Sequence, residues 1–92
     1  MNSDAVRVLA KVASLKFSME AALTRDKVKE VPKVHRLKMK QLIVDLRKLE
    51  NAAQDTVSNQ KVLNLEMDEV PIKRKEAQSH FSVFSGILNS LG

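Results

Sequence analysis

The chain has 92 residues, no cysteine, only two Gly and two Pro, and a formal net charge of +5 at pH 7. The lack of cysteine excludes a disulfide framework and a thiolate metal site, and a composition rich in Leu, Val, Ala, Lys and Glu favours helix over sheet. No apolar run approaches the length of about 18 residues that spans a membrane, and the first residues lack the apolar core of a signal peptide. We therefore expect one all-α domain over residues 1–92, located in the cytoplasm or within an assembled particle.

The first predicted helix covers residues 4–25, a stretch without Gly or Pro. On a helical wheel with about 100° per residue, its apolar residues fall into two stripes on different sides. The first stripe consists of Val8, Val12, Leu15, Met19 and Leu23, and the second of Val6, Ala10, Ala13, Phe17 and Ala21. Two apolar stripes indicate two neighbours for this helix.

A second helix is predicted over residues 31–58, because Pro32 is tolerated only in the first turn of a helix. Its main apolar face consists of His35, Met39, Leu42, Leu46, Leu49, Ala53 and Val57. Leu37 and Val44 lie nearly opposite that face. Four cations form a further line along this helix, here called the basic strip: Lys33, Arg36, Lys40 and Arg47. Residues 25–48 hold nine of the 16 Lys and Arg residues but only three of the 11 acidic residues.

Beyond the second helix, Leu63, Leu65 and Met67 alternate with polar residues. This period of two predicts an extended linker over residues 59–69. A third helix is predicted over residues 70–91. Its apolar face consists of Ala77, His80, Phe81, Phe84, Ile87, Leu88 and Leu91.

Together these segments predict a hairpin of two long antiparallel helices and a shorter C-terminal helix. The third helix has two possible placements. It either folds back to complete a three-helix bundle, or extends through the linker to a neighbouring chain in an oligomeric arrangement.

Catalytic chemistry has no support in the sequence. There is no nucleophile elbow, P-loop or dinucleotide fingerprint. The two histidines, His35 and His80, are predicted as half-buried members of apolar faces, with Glu76 one turn before His80 and able to orient it. The cluster of Glu66, Asp68 and Glu69 has too few oxygen ligands for a metal site. We therefore predict no catalytic residue, no cofactor, no metal and no enzymatic activity.

The basic strip is the feature most relevant to nucleic acid. Lys and Arg at this spacing can neutralise phosphates without reading the base sequence, although no aromatic residue lies among them to stack on bases. A solvated helix face accounts for the same residues. Residues 73–91 place three cations before an amphipathic helix, but its polar face is Ser and Asn, which disfavours a membrane surface. A small-molecule partner is likewise disfavoured.

Protein association explains why the helices are apolar on several sides. A single copy of three helices covers one face of each, and a large exposed apolar surface marks an interface. The sequence therefore predicts a non-enzymatic assembly subunit or adaptor that self-associates or docks into a larger protein complex, such as a virion or a similar particle. The alternative is a small basic nucleic-acid-binding protein. The predicted partner contacts are Val6, Phe17, Leu37, Val44, Phe81, Phe84 and Leu88.

Overall fold

The structure, a computed structural model, describes residues 3–59 and 69–92. These residues form three α-helices, α1 (Ser3–Ala22), α2 (Lys33–Asn59) and α3 (Glu69–Leu91), and a short 3-10 helix at Asp26–Glu30. The predicted all-α class is confirmed. An extended segment was predicted over residues 59–69. Its two end residues belong to α2 and α3, and residues 60–68 lie outside the described residues.

The first helix ends three residues earlier than predicted because its last turn tightens. The amide of Leu23 is shared between the carbonyls of Met19 at 3.3 Å and Glu20 at 3.1 Å. The hydroxyl of Thr24 donates to the carbonyl of Ala21 at 2.7 Å. A hydroxyl that satisfies a helical carbonyl competes with continuation of the helix, and the chain turns at this point.

The second helix begins directly after Pro32. Val31 is extended, with φ −72° and ψ 136°, as expected for a residue that precedes proline. The carbonyl of Pro32 then accepts the first bonds of α2, from the amides of His35 at 3.0 Å and Arg36 at 3.3 Å. Proline is favourable at this end of a helix, where its missing N–H has no intrahelical partner to lose.

The three helices form an up-down-up bundle. Lys16 pairs with Glu50 and Glu20 with Arg47, so the partner number on α2 falls as the number on α1 rises. Between α2 and α3, Lys38 contacts Glu76 and the carbonyl of His35 accepts from His80, so the partner number on α3 again rises as the number on α2 falls. Each consecutive pair of helices is therefore antiparallel, which corresponds to the three-helix bundle among the predicted alternatives. The relative lengths differ from expectation, since α3 has 23 residues and α1 has 20.

The core contains the predicted apolar faces of all three helices. Its largest fully buried side chains are Phe84, Met19, Met39, Leu42, Leu46, Leu88, Val12 and Val31. Val57 is the one exposed member of the predicted α2 face. Phe84 and Leu88, predicted as partner contacts, lie in the core of the chain itself. They are one turn apart on the side of α3 that packs inward, so they are not available to a partner.

No helix in the described part of the chain is both long enough and apolar enough to cross a membrane.

Candidate interaction surface

Four of the predicted partner contacts are large apolar side chains on the surface. Their exposed fractions are 46% for Val6, 59% for Phe17, 53% for Leu37 and 41% for Val44. Single exposed apolar residues are ordinary on protein surfaces. Their relative positions therefore decide whether they form one surface.

Two ion pairs cross the seam between α1 and α2. The Lys16 Nζ lies 2.7 Å from Glu50 Oε1, and the Arg47 Nη2 lies 3.2 Å from Glu20 Oε1. The ammonium of Lys16 also lies 4.4 Å from the centroid of the Phe17 ring, within the range of a cation–π contact. Phe17 therefore lies beside the seam, with the Lys16 ammonium over its ring and 59% of the residue exposed to solvent.

The basic residues of α2 lie on the same side of the bundle. Lys33, Lys40 and Arg47 are each seven residues apart, a spacing that drifts by only about 20° per step on an α-helix. Arg47 is paired across the seam with Glu20, and the row continues from it along α2 toward Lys33, past the level at which α1 ends at Ala22. Val6 precedes Phe17 by 11 residues and lies within about 20° of it on α1.

Leu37 and Val44 form a second row on α2, beside the basic row. They follow Lys33 and Lys40 by four residues each, which places them about 40° further around the helix. Four of the seven predicted apolar contacts and three of the four residues of the basic strip therefore lie on either side of the seam. In the register set by the two ion pairs, Phe17 and Val44 lie at similar heights along the bundle, whereas Val6 and Leu37 lie toward opposite ends. We call this long side of the bundle the α1–α2 face, and it consists of Val6, Phe17, Lys33, Leu37, Lys40, Val44 and Arg47.

The cations of α2 differ in whether they have a hydrogen-bond or ion-pair partner. Arg36 is half-buried and its Nε donates to the carbonyl of Val31 at 3.1 Å, so it does not project with the rest of the predicted strip. Arg47 is paired with Glu20. Lys33, Lys40 and Lys48 are exposed, and have no ion-pair partner among the residues that the structure describes. The free positive charge of the face therefore comes from lysines.

The buried ion pair of Lys16 and Glu50 was not predicted. Their side chains are 9% and 17% exposed, which is unusual for charged residues. A signal was present in the sequence, because Lys16 lies one turn from Val12 on the first apolar stripe of α1. Glu50 likewise lies one turn from Leu46 on the main face of α2. Two opposite charges on facing apolar stripes indicate a pair.

His35 and His80 meet where α2 packs on α3. Their ring centroids are 5.9 Å apart, and the Nε2 of His80 donates to the carbonyl of His35 at 3.1 Å. Both are half-buried. Glu76, which the sequence placed where it could orient His80, instead accepts from Lys38 at 3.2 Å. The histidines therefore fix the packing of α3 on α2.

A separate open groove runs between α1 and α3. It is lined by Ala10, Lys11, Ser14, Leu15, Ser18, Arg74, Gln78, Phe81, Ser82 and Ser85. Phe81, another predicted partner contact, is half-buried at this groove. It therefore lies apart from the α1–α2 face. Within the described residues, no group of three or more His, Asp or Glu side chains is arranged to hold a metal ion.

The fold and surface define a three-helix bundle with one mixed basic and apolar face. Comparison with known proteins finds no family model, no curated protein and no solved structure that matches the chain.

Proposed function

We propose that this protein is a non-enzymatic helical subunit or adaptor that associates with protein through its α1–α2 face. The observation that supports the proposal is the exposure of Phe17, Leu37, Val44 and Val6 on that one face. Burial of about 600 Å² of apolar surface would contribute about 15 kcal/mol before the costs of association, at about 25 cal/mol per Å². A partner on this face removes from water four of the eight large apolar side chains that are exposed in the described part of the chain.

The position of the apolar residues also supports association over a solvated surface. Leu37 and Val44 point away from the core of the bundle, so their exposed surface does not stabilise the packing of the three helices. Phe17 has an exposed ring, which is the type of anchor enriched at the centre of protein interfaces. Arg47 adjoins these residues, and arginine is likewise enriched in interface hot spots.

A photo-crosslinking comparison tests the proposal. Benzoylphenylalanine is placed at Leu37 in one variant and at Val83, which is exposed on α3, in a matched control. We expect irradiation in the native cell to give a discrete adduct from position 37 and none from position 83. Adding Val44→Glu should abolish the adduct, because it buries a charge in the interface, and should change the free energy of unfolding by no more than about 0.5 kcal/mol.

Equal labelling from both positions, or an adduct insensitive to Val44→Glu, would contradict the proposal. Light scattering of the purified chain at low salt and at about 0.5 M salt separates the two forms of association, because high salt screens surface charges. A mass above that of the monomer indicates self-association. A monomer at both salts, together with the adduct, indicates a different protein as partner.

Nucleic acid is the second candidate function, favoured by Lys33, Lys40 and Lys48, which are exposed on one helix and have no ion-pair partner within residues 3–59 and 69–92. This candidate predicts that Lys33→Glu with Lys40→Glu weakens duplex DNA binding and lowers the slope of affinity against salt by about 0.9 for each lost phosphate contact. The matched control is Lys73→Glu with Lys75→Glu on α3, where both lysines are exposed. Equal loss in both variants, or no binding by the parent chain, rules this candidate out.

A further inference from the structure

We propose that the α1–α2 face binds an acidic amphipathic helix of another protein, one that presents apolar residues flanked by Glu and Asp. The inference rests on the function proposed above and adds the chemistry of the partner. It depends on two features of the face, the spacing of its rows and the sign of its free charge.

The spacing of the rows matches a helical partner. Lys33, Leu37, Lys40, Val44 and Arg47 follow one another at intervals of four, three, four and three residues. This alternation has the spacing of the two seam positions of a coiled coil, with cations at three positions and apolar residues at the other two. The seam from residue 33 to residue 47 is about 21 Å long at about 1.5 Å per residue, which matches four turns of a bound helix.

The charge of the face selects an acidic partner. Within the basic row, Arg47 is already bound to the carboxylate of Glu20. Lys33 and Lys40 have no ion-pair partner among the described residues, and Lys48 borders the apolar row on its other side. Three lysines without compensation favour an anionic partner, because like charges placed together across an interface cost several kcal/mol.

A second copy of this chain fits less well. If two α2 helices cross antiparallel at Val44, Lys33 of one copy meets Asp55 of the other, which is favourable. The same arrangement places Lys40 against Lys48, both exposed and basic, and leaves Leu37 opposite Asn51. A copy therefore supplies one opposite-charge contact, one like-charge contact and no apolar partner for Leu37 in each half of the symmetric pair.

Nucleic acid fits the lysines but not the apolar row. A phosphate backbone has no apolar surface to cover Leu37, Val44 and the ring of Phe17. An amphipathic helix supplies both groups at once, with apolar residues for the second row and carboxylates for the lysines on either side of it. Because lysines and apolar residues alternate along α2, the face favours an amphipathic helix as partner over a polyanion.

Synthetic peptides provide the test. The probe is a labelled helical peptide of about four turns, matched to the seam length, with Leu at its seam positions and Glu on both flanks. The two matched peptides carry Gln or Lys in place of Glu. We expect fluorescence anisotropy to show that the Glu peptide binds at least about tenfold more tightly than the Gln peptide, since two or three charge pairs form, and that the Lys peptide does not bind.

A charge exchange provides the decisive variant. Lys33→Glu with Lys40→Glu should reverse the preference, so that the Lys peptide binds and the Glu peptide does not. Both lysines are exposed, so the variant is expected to fold. Its circular dichroism and thermal unfolding are compared with those of the parent to verify this.

The outcomes separate this inference from the proposed function. If the Glu and Gln peptides bind equally and Leu37→Ser weakens both, the face binds apolar helices without charge selection, and the acidic partner is wrong while the proposed function stands. A solution dimer that Val44→Glu dissociates identifies a second copy as the occupant and likewise overturns the inference alone. If no peptide binds, the acidic helix is wrong, and the photo-crosslinking comparison decides the proposed function independently.

Discussion

Replacing Phe84 by Ala is expected to lower the free energy of unfolding by about 3–5 kcal/mol, the range for loss of a buried Phe side chain. Phe84 has no exposed surface and is the largest of the fully buried side chains. The substitution removes the ring from contact with the rest of the core, and a bundle of this size cannot fully collapse around the cavity. Total stabilities of small domains are about 5–15 kcal/mol, so a large share would be lost. Urea denaturation followed by far-ultraviolet circular dichroism measures the change.

The neighbouring residue provides the control. Val83 is 51% exposed, so Val83→Ala should change the free energy of unfolding by no more than about 0.5 kcal/mol. The comparison also decides between two roles for Phe84, which the sequence predicted as a partner contact. If Phe84→Ala unfolds like the parent but loses association, Phe84 is a surface contact and does not belong to the core.

The misassignment of Phe84 and Leu88 has a physical origin. Helical periodicity identifies the residues that share a face, and it did so correctly for the apolar face of α3. It contains no information about which neighbour covers that face, a helix of the same chain or of another chain. That distinction follows from the packing of α3 on α2 of the same chain, which the pattern within either helix does not determine.

The helical periodicity of apolar residues predicted burial best for the stripe of a helix that packs on the other helices of the chain. The stripe with Val8, Val12 and Met19 was predicted on α1 and is buried. The second stripe was also predicted, and its large residues Val6 and Phe17 are exposed. A stripe dominated by Ala gives a weak signal in either direction, because Ala is common both in cores and on surfaces.

The ends of the helices depend on local hydrogen bonds that composition does not determine. The stretch from Thr24 to Glu30 has no Gly or Pro, so nothing in the helical pattern required α1 to stop. The bond from the Thr24 hydroxyl to Ala21 and the turn that follows end it. At Pro32 the constraint is steric, and the start of α2 lies within two residues of its predicted position.

The basic strip was predicted as four equivalent cations, and the structure divides it. Arg36 binds a backbone carbonyl of the preceding turn, and Arg47 binds a carboxylate 27 residues away in sequence. Long-range pairing of this kind requires knowledge of how α1 and α2 are aligned. The sequence could identify the cations of the candidate face but not which of them remain available to a partner.

Replacing Glu50 by Gln is expected to cost about 3 kcal/mol of unfolding free energy, because it leaves the nearly buried ammonium of Lys16 without its counter-charge. The substitution preserves the shape of the side chain, so little of the effect comes from lost packing. Only 9% of the Lys16 side chain is exposed, and the ring of Phe17 covers part of the ammonium. Water therefore cannot replace the carboxylate without displacing the helices. Thermal and urea denaturation of the two proteins measure the difference.

The other ion pair across the same seam is the matched control. Glu20 and Arg47 are 35% and 54% exposed, so Glu20→Gln should cost no more than about 1 kcal/mol. A double replacement, Lys16→Met with Glu50→Leu, should restore stability to within about 1 kcal/mol of the parent or exceed it, because an apolar pair of similar volume carries no desolvation cost. If instead Glu50→Gln and Glu20→Gln have equal effects, the Lys16 ammonium reaches solvent, and Phe17 is free to turn its whole ring toward a partner. If the large difference is found, Phe17 stays anchored by Lys16 and presents a fixed edge of the α1–α2 face.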